Sequence, residues 1–325
     1  MKFVHCLVCD SASNTPILTN TQDPFVKKIG TTQTSYVTCN DCGFVYQNPT
    51  LDTDELEALY STDYYDNKGQ TISEGYRKKK EEYAQHSFDW IKSVFPIDQI
   101  NENPNILDIG SNTGAFLSLF QKQGWNCHAV EASKNMCEIA KDTYNLEQIH
   151  NTLFQTGTFP PEHFSFVSLL HRREHLEYPE KILQDIYSVL KPNGHLYIEV
   201  PDIFRPKSAL YTSYFAAPHL YTFSQQSLQR LLARNGFKTI HSGSVPRGIC
   251  ILAQKSEPEN VTLSDDPIQV AQCISQYKAQ HDKDAFVYKY IANSLPAKVL
   301  IKLKLPWISQ VLAKFREHVR VNKII

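Results

Sequence analysis

From Asn105 onward, short apolar runs alternate with segments of helical periodicity, the pattern of a parallel sheet covered by helices on both faces. The first run, 105–109, passes through Gly110-Ser111-Asn112-Thr113-Gly114 into a helix that begins near Ala115. A strand that runs through a glycine loop into a helix N-terminus presents backbone N–H groups to a ligand. The second strand, 127–131, ends in Glu131, 23 residues after Asp108. In nucleotide-binding sheets an acidic residue at that interval accepts hydrogen bonds from ribose hydroxyls. Next come a continuous apolar strand over 164–170, a helix near 178–190, and Lys191-Pro192-Asn193-Gly194 leading into a strand over 195–200. A helix capped by Ser224 and strands after Gly236 and from Gly248 complete an α/β unit.

The N-terminus is of another kind. Cys6-Leu7-Val8-Cys9 and Cys39-Asn40-Asp41-Cys42 are two CxxC knuckles separated by 29 residues. Two such turns supply four sulfurs to one tetrahedral ion, so Cys6, Cys9, Cys39 and Cys42 are read as a closed, structural Zn²⁺ site; a redox pair is the other reading. Gly43 suits the positive φ that such ribbons use. Cys127, Cys137, Cys250 and Cys273 lie in apolar surroundings and are expected as buried free thiols. After the knuckles come an Asn-Pro turn, a short acidic helix around 55–60, Tyr64 and Tyr65, and a helix over 74–95 ended by Pro96.

The loop at 110–114 lacks the GxGxxG of dinucleotide sheets, which argues against an NAD oxidoreductase. It resembles the first motif of the class I S-adenosylmethionine (SAM) methyltransferases, with Asn112 in place of the middle glycine. That departure is similar to the IGSNDG-like loop of methyltransferases acting on carbon atoms of nucleotide-linked sugars. His171-Arg172-Arg173-Glu174-His175, the Lys-Pro-Asn-Gly turn, His219-Leu220-Tyr221-Thr222-Phe223-Ser224 and Asn235-Gly236-Phe237 follow in the order of the same family. The resemblance spans about residues 1–255, zinc knuckles included. Ser165 departs from the family's Asp, and Arg172-Arg173 replaces an apolar pair.

The resemblance implies a Rossmann-like, seven-stranded SAM methyltransferase sheet over 74–255, a small four-cysteine zinc-ribbon-like module with its connector over 1–73, and a helical, basic extension over 256–325. It implies S-adenosyl-L-methionine as cofactor, with Asp108, Gly110, Ser111, Asn112, Gly114, Glu131 and His171 on the cofactor side. For Asp108 a loop-bracing role without cofactor contact, and for Glu131 an exposed strand end, are the plain alternatives. His175 and His219 are the candidate bases, since an imidazole accepts a proton near neutrality. His219 occupies the position of the family's proposed base, with Pro218 where that family carries Glu. Tyr64, Tyr65 and Tyr221 are candidate pocket aromatics. The acceptor implied is a small molecule, a nucleotide-linked or polysaccharide sugar methylated at oxygen or carbon. A non-catalytic SAM-fold binding protein and an RNA methyltransferase are the rival readings.

Lys plus Arg number 33 against 34 Asp plus Glu, so no global field draws nucleic acid to the chain. Residues 1–73 carry four basic and nine acidic side chains, and no Asn/Asp-Pro-Pro-aromatic segment follows the 164–170 strand to hold a flipped base. Nucleic acid is therefore not expected as a partner. Residues 296–325 carry seven basic side chains and one acidic, and Ile308, Val311, Leu312, Phe315 and Val319 fall on one helical face. Packing against protein and peripheral contact with an anionic membrane both fit that pattern. With no secretory h-region, the chain is expected to be cytoplasmic; its oligomeric state is left open.

Overall fold

In a computed structural model, residues 1–26, 29–59, 73–97, 104–170, 179–206 and 210–294 are described. Strand β4 (Asn105–Ile109) forms where β-branched and aliphatic side chains crowd together, and all but its first residue are buried. Around it lie β5 (Asn126–Val130), β6 (Gln148–His150), β7 (Phe164–Leu170), β8 (Leu190–Val200), β10 (Phe237–Val245) and β11 (Gly248–Lys255). They form one seven-stranded sheet in the order β10-β11-β8-β7-β4-β5-β6. β11 runs antiparallel to β8 and to β10, while the pairs among β8, β7, β4, β5 and β6 are parallel. This is the expected Rossmann-like sheet. The chain leaves β4 toward β5 on one side and returns to β7 on the other, so the strand order reverses at β4 and β7.

Helices cover both faces. α2 (Glu74–Val94) is capped by Ser73, whose side chain accepts from the Tyr76 N–H, and stops at Phe95 ahead of Pro96. Its Phe88 and Ile91 pack with Phe116 and Phe120 of α3 (Ala115–Gln121), Trp125, Phe166 and Tyr197. α4 (Lys134–Tyr144) closes that layer through Cys137 and Ala140. On the other face Leu183 and Ile186 of α5 (Pro179–Val189) and Leu228 and Leu231 of α6 (Gln225–Arg234) pack with Leu107, Ile109, Val167 and Leu196. Alternate residues of β4 therefore serve opposite cores.

A second sheet holds the N-terminus. β1 (Asn14–Asn20), β2 (Thr34–Cys39) and β3 (Val45–Gln47) are antiparallel neighbours, and the fourth strand, β9 (Tyr221–Thr222), comes from beyond β8. Phe44 packs against Phe223 at 5.2 Å between ring centroids, so the cysteine-bearing sheet shares a core with α6 and the central sheet. α1 (Thr53–Leu59) is the short acidic helix. α7 (Pro267–Ser294) lays Val270, Ile274 and Tyr277 on Leu18, Tyr36 and a π-helical turn, Leu210–Tyr214. It extends past the helix expected near 267–280.

One expected turn is built differently. Residues 191–194 are a bulge inside β8: Phe164 pairs with Leu190 and Phe166 already with His195. Asn193, at φ 61°, supplies the left-handed residue that this bulge needs. Cys127, Cys137 and Cys250 are buried free thiols and Cys273 is half-buried. Burial pushes the Cys127 and Cys250 thiols up to about 12, which keeps them protonated and inert.

Two histidines tie stability to pH. Burial, with His163 and His150 beside it, pushes His128 down to about 4, and burial against Phe95 pushes His195 down to about 4. Both stay neutral in the folded chain where the unfolded chain, near 6.5, takes up protons. Their contribution is complete above pH 6.5 and is lost as pH falls toward 4. The urea midpoint is expected to be lower at pH 5 than at pH 7.5, with a flatter slope in His128→Gln and His195→Gln.

Candidate functional site

The parallel ladders bring strand ends level. Ile109 pairs with Val130 and with Leu169, and Leu170 with Glu199, so the residues that follow β4, β5, β7 and β8 open onto one edge. In open α/β sheets this carboxyl edge, at the reversal of strand order, is where ligands bind.

Leaving β4, the chain turns through Gly110 at φ 75°, Asn112 at φ 51° and Gly114 at φ 79°. The Gly110 N–H donates to Val130 O at 2.8 Å and the Gly114 N–H to Ser111 O at 3.0 Å. A Cβ on Gly114 would lie 2.6 Å from Leu146 Cδ1 and 2.9 Å from Ala140 Cβ. Glycine there meets two demands at once, a left-handed backbone and the close approach of α4. Asn112 is a residue that tolerates the left-handed region, which accounts physically for its standing where the similar loops carry glycine. Tyr76, from the first turn of α2, reaches its side chain at 3.3 Å.

Glu131 sits just past β5 and is 2% exposed. Its Oε2 accepts from the Asn112 N–H at 2.8 Å and its Oε1 from the Ser133 N–H at 3.0 Å. It is thus a buried carboxyl group that joins two edge loops, not an exposed strand end. Asp108 is 3% exposed and accepts from Ser168 Oγ at 2.7 Å, which locks β4 to β7. Ser111 Oγ is buried with no hydrogen-bond partner among the described residues. A buried carboxylate, an orphaned hydroxyl and a glycine cradle form a donor and acceptor set that fits the ribose and amino-acid ends of an adenosyl cofactor.

His219 lies in the segment that leaves the carboxyl end of β8. Its Nδ1 is 2.9 Å from Tyr214 O, an acceptor, so Nδ1 carries the hydrogen and the neutral ring keeps its lone pair on Nε2. The contacts described for it are to its own turn and to the N-terminal sheet. His171, His175, Arg172, Arg173, Tyr64 and Tyr65 lie outside the described residues, as does the basic segment over 296–325. Tyr221 is in β9, packed on Phe44 and Phe223. Among the buried carboxylates that the sequence reading missed are Asp23, 4% exposed, and Glu199, 2% exposed at the end of β8, where the Tyr197 hydroxyl donates to it. Neither has a spacing that marks it.

The four knuckle cysteines converge. Cys6 Sγ and Cys42 Sγ are 3.6 Å apart, Cys9 Sγ and Cys39 Sγ 3.5 Å, and all four lie within 4.8 Å of one another. A tetrahedron with metal–sulfur bonds of about 2.3 Å has sulfurs about 3.8 Å apart, so the set fits Zn²⁺. Hydrogen bonds that they donate to Cys39, with burial, hold the Cys6 and Cys42 thiols up, while accepting those bonds holds Cys39 down. The Arg234 guanidinium donates to the knuckle carbonyls Val8 O at 2.6 Å and Leu7 O at 3.3 Å. A Cβ on Gly43 would meet Asp265 O at 2.7 Å, and the Asp265 N–H donates to Cys42 O at 3.1 Å.

This edge is that of an open, mostly parallel α/β sheet. A methyltransferase-domain family matches residues 76–242, just over half of the chain, and the chain belongs to that family. It is 29% identical over 94 residues to the uncharacterized methyltransferase YcgJ of Bacillus subtilis, covering 27% of this chain and 37% of that protein. It is 26% identical over 152 residues to the C-methyltransferase NovU of Streptomyces niveus, covering 43% and 36%. The ubiquinone biosynthesis O-methyltransferase of Aliivibrio fischeri is 25% identical over 139 residues, 37% of this chain and 59% of that one. The chain thus spans less than two thirds of the curated relatives it matches. Among solved structures, a putative SAM-dependent methyltransferase of Listeria monocytogenes is 14% identical with a TM-score of 0.44, over 54% of this chain and 98% of that one.

The loop geometry separates two neighbouring positions. Gly114→Ala is expected to lower the unfolding free energy by about 3 kcal/mol through overpacking and left-handed strain. Asn112→Gly, at an already left-handed residue, should stay within about 1 kcal/mol of the parent. Urea denaturation of both variants measures the contrast.

Proposed function

We propose that the chain transfers the methyl group of SAM to a small-molecule acceptor, a nucleotide-linked or polysaccharide sugar, at oxygen or carbon. The observation that carries the cofactor reading is Glu131, a buried carboxylate that closes the glycine loop at the reversal of strand order. Membership of the methyltransferase-domain family supports it. The sugar reading rests on the likeness of the 110–114 loop and of the ordered segments after it to sugar C-methyltransferases, and the C-methyltransferase among the relatives accords with it.

When bound, SAM supplies a methyl carbon activated by its sulfonium. The chain has to position two molecules and take one proton. Glu131 receives the ribose hydroxyls, the Gly110–Gly114 loop and Ser111 Oγ hold the cofactor's amino-acid end, and Asp108 keeps β4 and β7 in line beneath it. His171 adds to the cofactor side. At the acceptor, His219 Nε2 takes the proton of the attacking group, with His175 as the second candidate base. With SAM bound as methyl donor, the proton given up by the acceptor would pass to the imidazole, so that methyl transfer would leave no charge on the acceptor. Zn²⁺ on Cys6, Cys9, Cys39 and Cys42 has four protein ligands and no open position, so its role is structural.

Calorimetry on the full chain is expected to give micromolar binding of SAM and S-adenosylhomocysteine and none of NAD. Glu131→Ala should weaken SAM at least tenfold; near-normal affinity would remove Glu131 from the cofactor site. An acceptor screen that starts with nucleotide sugars tests the chemistry, and SAM binding with no acceptor turned over would favour a non-catalytic SAM-binding protein. Metal analysis should return one zinc per chain. Cys39→Ser should lose the metal and lower the thermal midpoint, and a metal-free parent of unchanged stability would overturn the zinc reading.

A further inference from the structure

The turn that carries His219 is held from the far end of the chain. Asn20, fully buried at the end of β1, donates through Nδ2 to Tyr211 O at 2.6 Å and to Phe215 O at 2.7 Å. Tyr36, fully buried in β2, places its hydroxyl 2.9 Å from Ala216 O and 3.2 Å from His219 O. Asp23 follows β1. Its Oδ2 accepts from the Ala217 N–H at 2.6 Å and from Thr34 Oγ1 at 3.2 Å, and its Oδ1 accepts from the Phe25 N–H at 2.9 Å. Just past the histidine, Leu220 O accepts from the Gln47 N–H at 2.8 Å, and β9 pairs with β3. Backbone groups on both sides of His219 are thus fixed by the sheet that bears the cysteines.

A rigid scaffold alone would need only neutral hydrogen bonds. Among the three side chains Asp23 alone is a carboxylate; burial pushes its pKa up, while the Phe25 and Ala217 N–H groups, the Thr34 hydroxyl and, least of these, the charge of His219 act to lower it. Burying a carboxylate costs free energy unless donors and a nearby cation offset it. Three donors meet it here, and protonation of His219 would supply the cation. Among the described residues, the titratable groups placed around this turn include Asp23 and Tyr36 from the N-terminal sheet, Tyr211 and Tyr214 from the π-helical turn, Tyr221 from β9, and His281 of α7, whose ring lies 4.9 Å from that of Tyr211. Tyr36, fully buried, stays a neutral phenol.

From this geometry we infer that Asp23 is the positioning residue for His219: through the Ala217 N–H it fixes the turn that aims the imidazole, and its charge stabilises the imidazolium left after proton transfer. The inference rests on the reading of His219 as the base, and it gives the cysteine-bearing sheet a part in the reaction. The proton balance is closed, since the proton that leaves the acceptor resides on His219 and none passes to Asp23.

The test is a pH titration of the His219 ring by ¹H–¹³C NMR in the full, zinc-loaded chain, with the resonance assigned by its loss in His219→Asn. Asp23→Asn should lower the His219 midpoint by about 0.5 unit or more, and Asp23→Glu should restore part of the shift. With an acceptor in hand, Asp23→Asn should lower kcat about tenfold with KM for SAM changed less than twofold, and should move the acid limb of the pH profile in the same direction as the NMR midpoint. An unchanged midpoint in a folded, zinc-loaded Asp23→Asn chain overturns the inference. A shifted midpoint with an unshifted rate profile overturns the base reading of His219 and leaves Asp23 as its electrostatic partner. Should Asp23→Asn not fold, Tyr36→Phe serves: it loses both carbonyl contacts and should lower kcat at constant KM for SAM, whereas a parental kcat would remove the clasp from catalysis.

Discussion

The parallel hydrogen-bond ladder between β4 and its two neighbours is the constraint from which the rest follows. Because Ile109 is level with both Val130 and Leu169, the loops after β4, β5 and β7 must open side by side. Glu131 can then reach the Asn112 N–H, and Ser168 the Asp108 carboxylate. A one-residue slip in either ladder would turn Asp108 out of its contact with Ser168 and bring Leu107 or Ile109 into its place. Buried carboxyl groups at the site are tolerated because that register hands each of them donors.

The loop is shaped by exclusion as much as by attraction. Gly114 has no room for a Cβ against Leu146 and Ala140, and three of the five loop residues adopt positive φ. Asparagine occupies a left-handed position both at 112 and at 193. Two departures from the patterns that the chain resembles thus have one conformational explanation, in that asparagine is the side-chain-bearing residue that enters this region most readily.

Local features of the fold were legible in the amino-acid order. β4 and β7 begin and end as the apolar runs do, Ser224 caps α6, and two CxxC knuckles bring four sulfurs together. Each of these depends on residues a few positions apart or on a short motif with fixed geometry. Asp23, Asn20 and Tyr36 carried no such mark. Their partners lie 194, 195 and 180 residues away, and an Asp after a polar strand end reads as surface. The bulge at 191–194 escaped for a related reason: a Pro-Asn-Gly sequence signals a turn, and only the partner strand reveals that the chain resumes the same strand beyond it.

That the N-terminal sheet takes its last strand from Tyr221 and Thr222 orders events during synthesis. β1, β2 and β3 are synthesised well before β9, yet the edge of β3 stays unpaired until most of the central sheet has been made. For that interval the nascent chain displays an open strand of buried-type residues, Val45 and Tyr46, beside Phe44, a combination prone to pair with the wrong partner. The antiparallel pairing of β1, β2 and β3, made from residues 14–47 alone, limits that exposure to one short edge, so the order of synthesis itself sets how long the chain is open to misassembly.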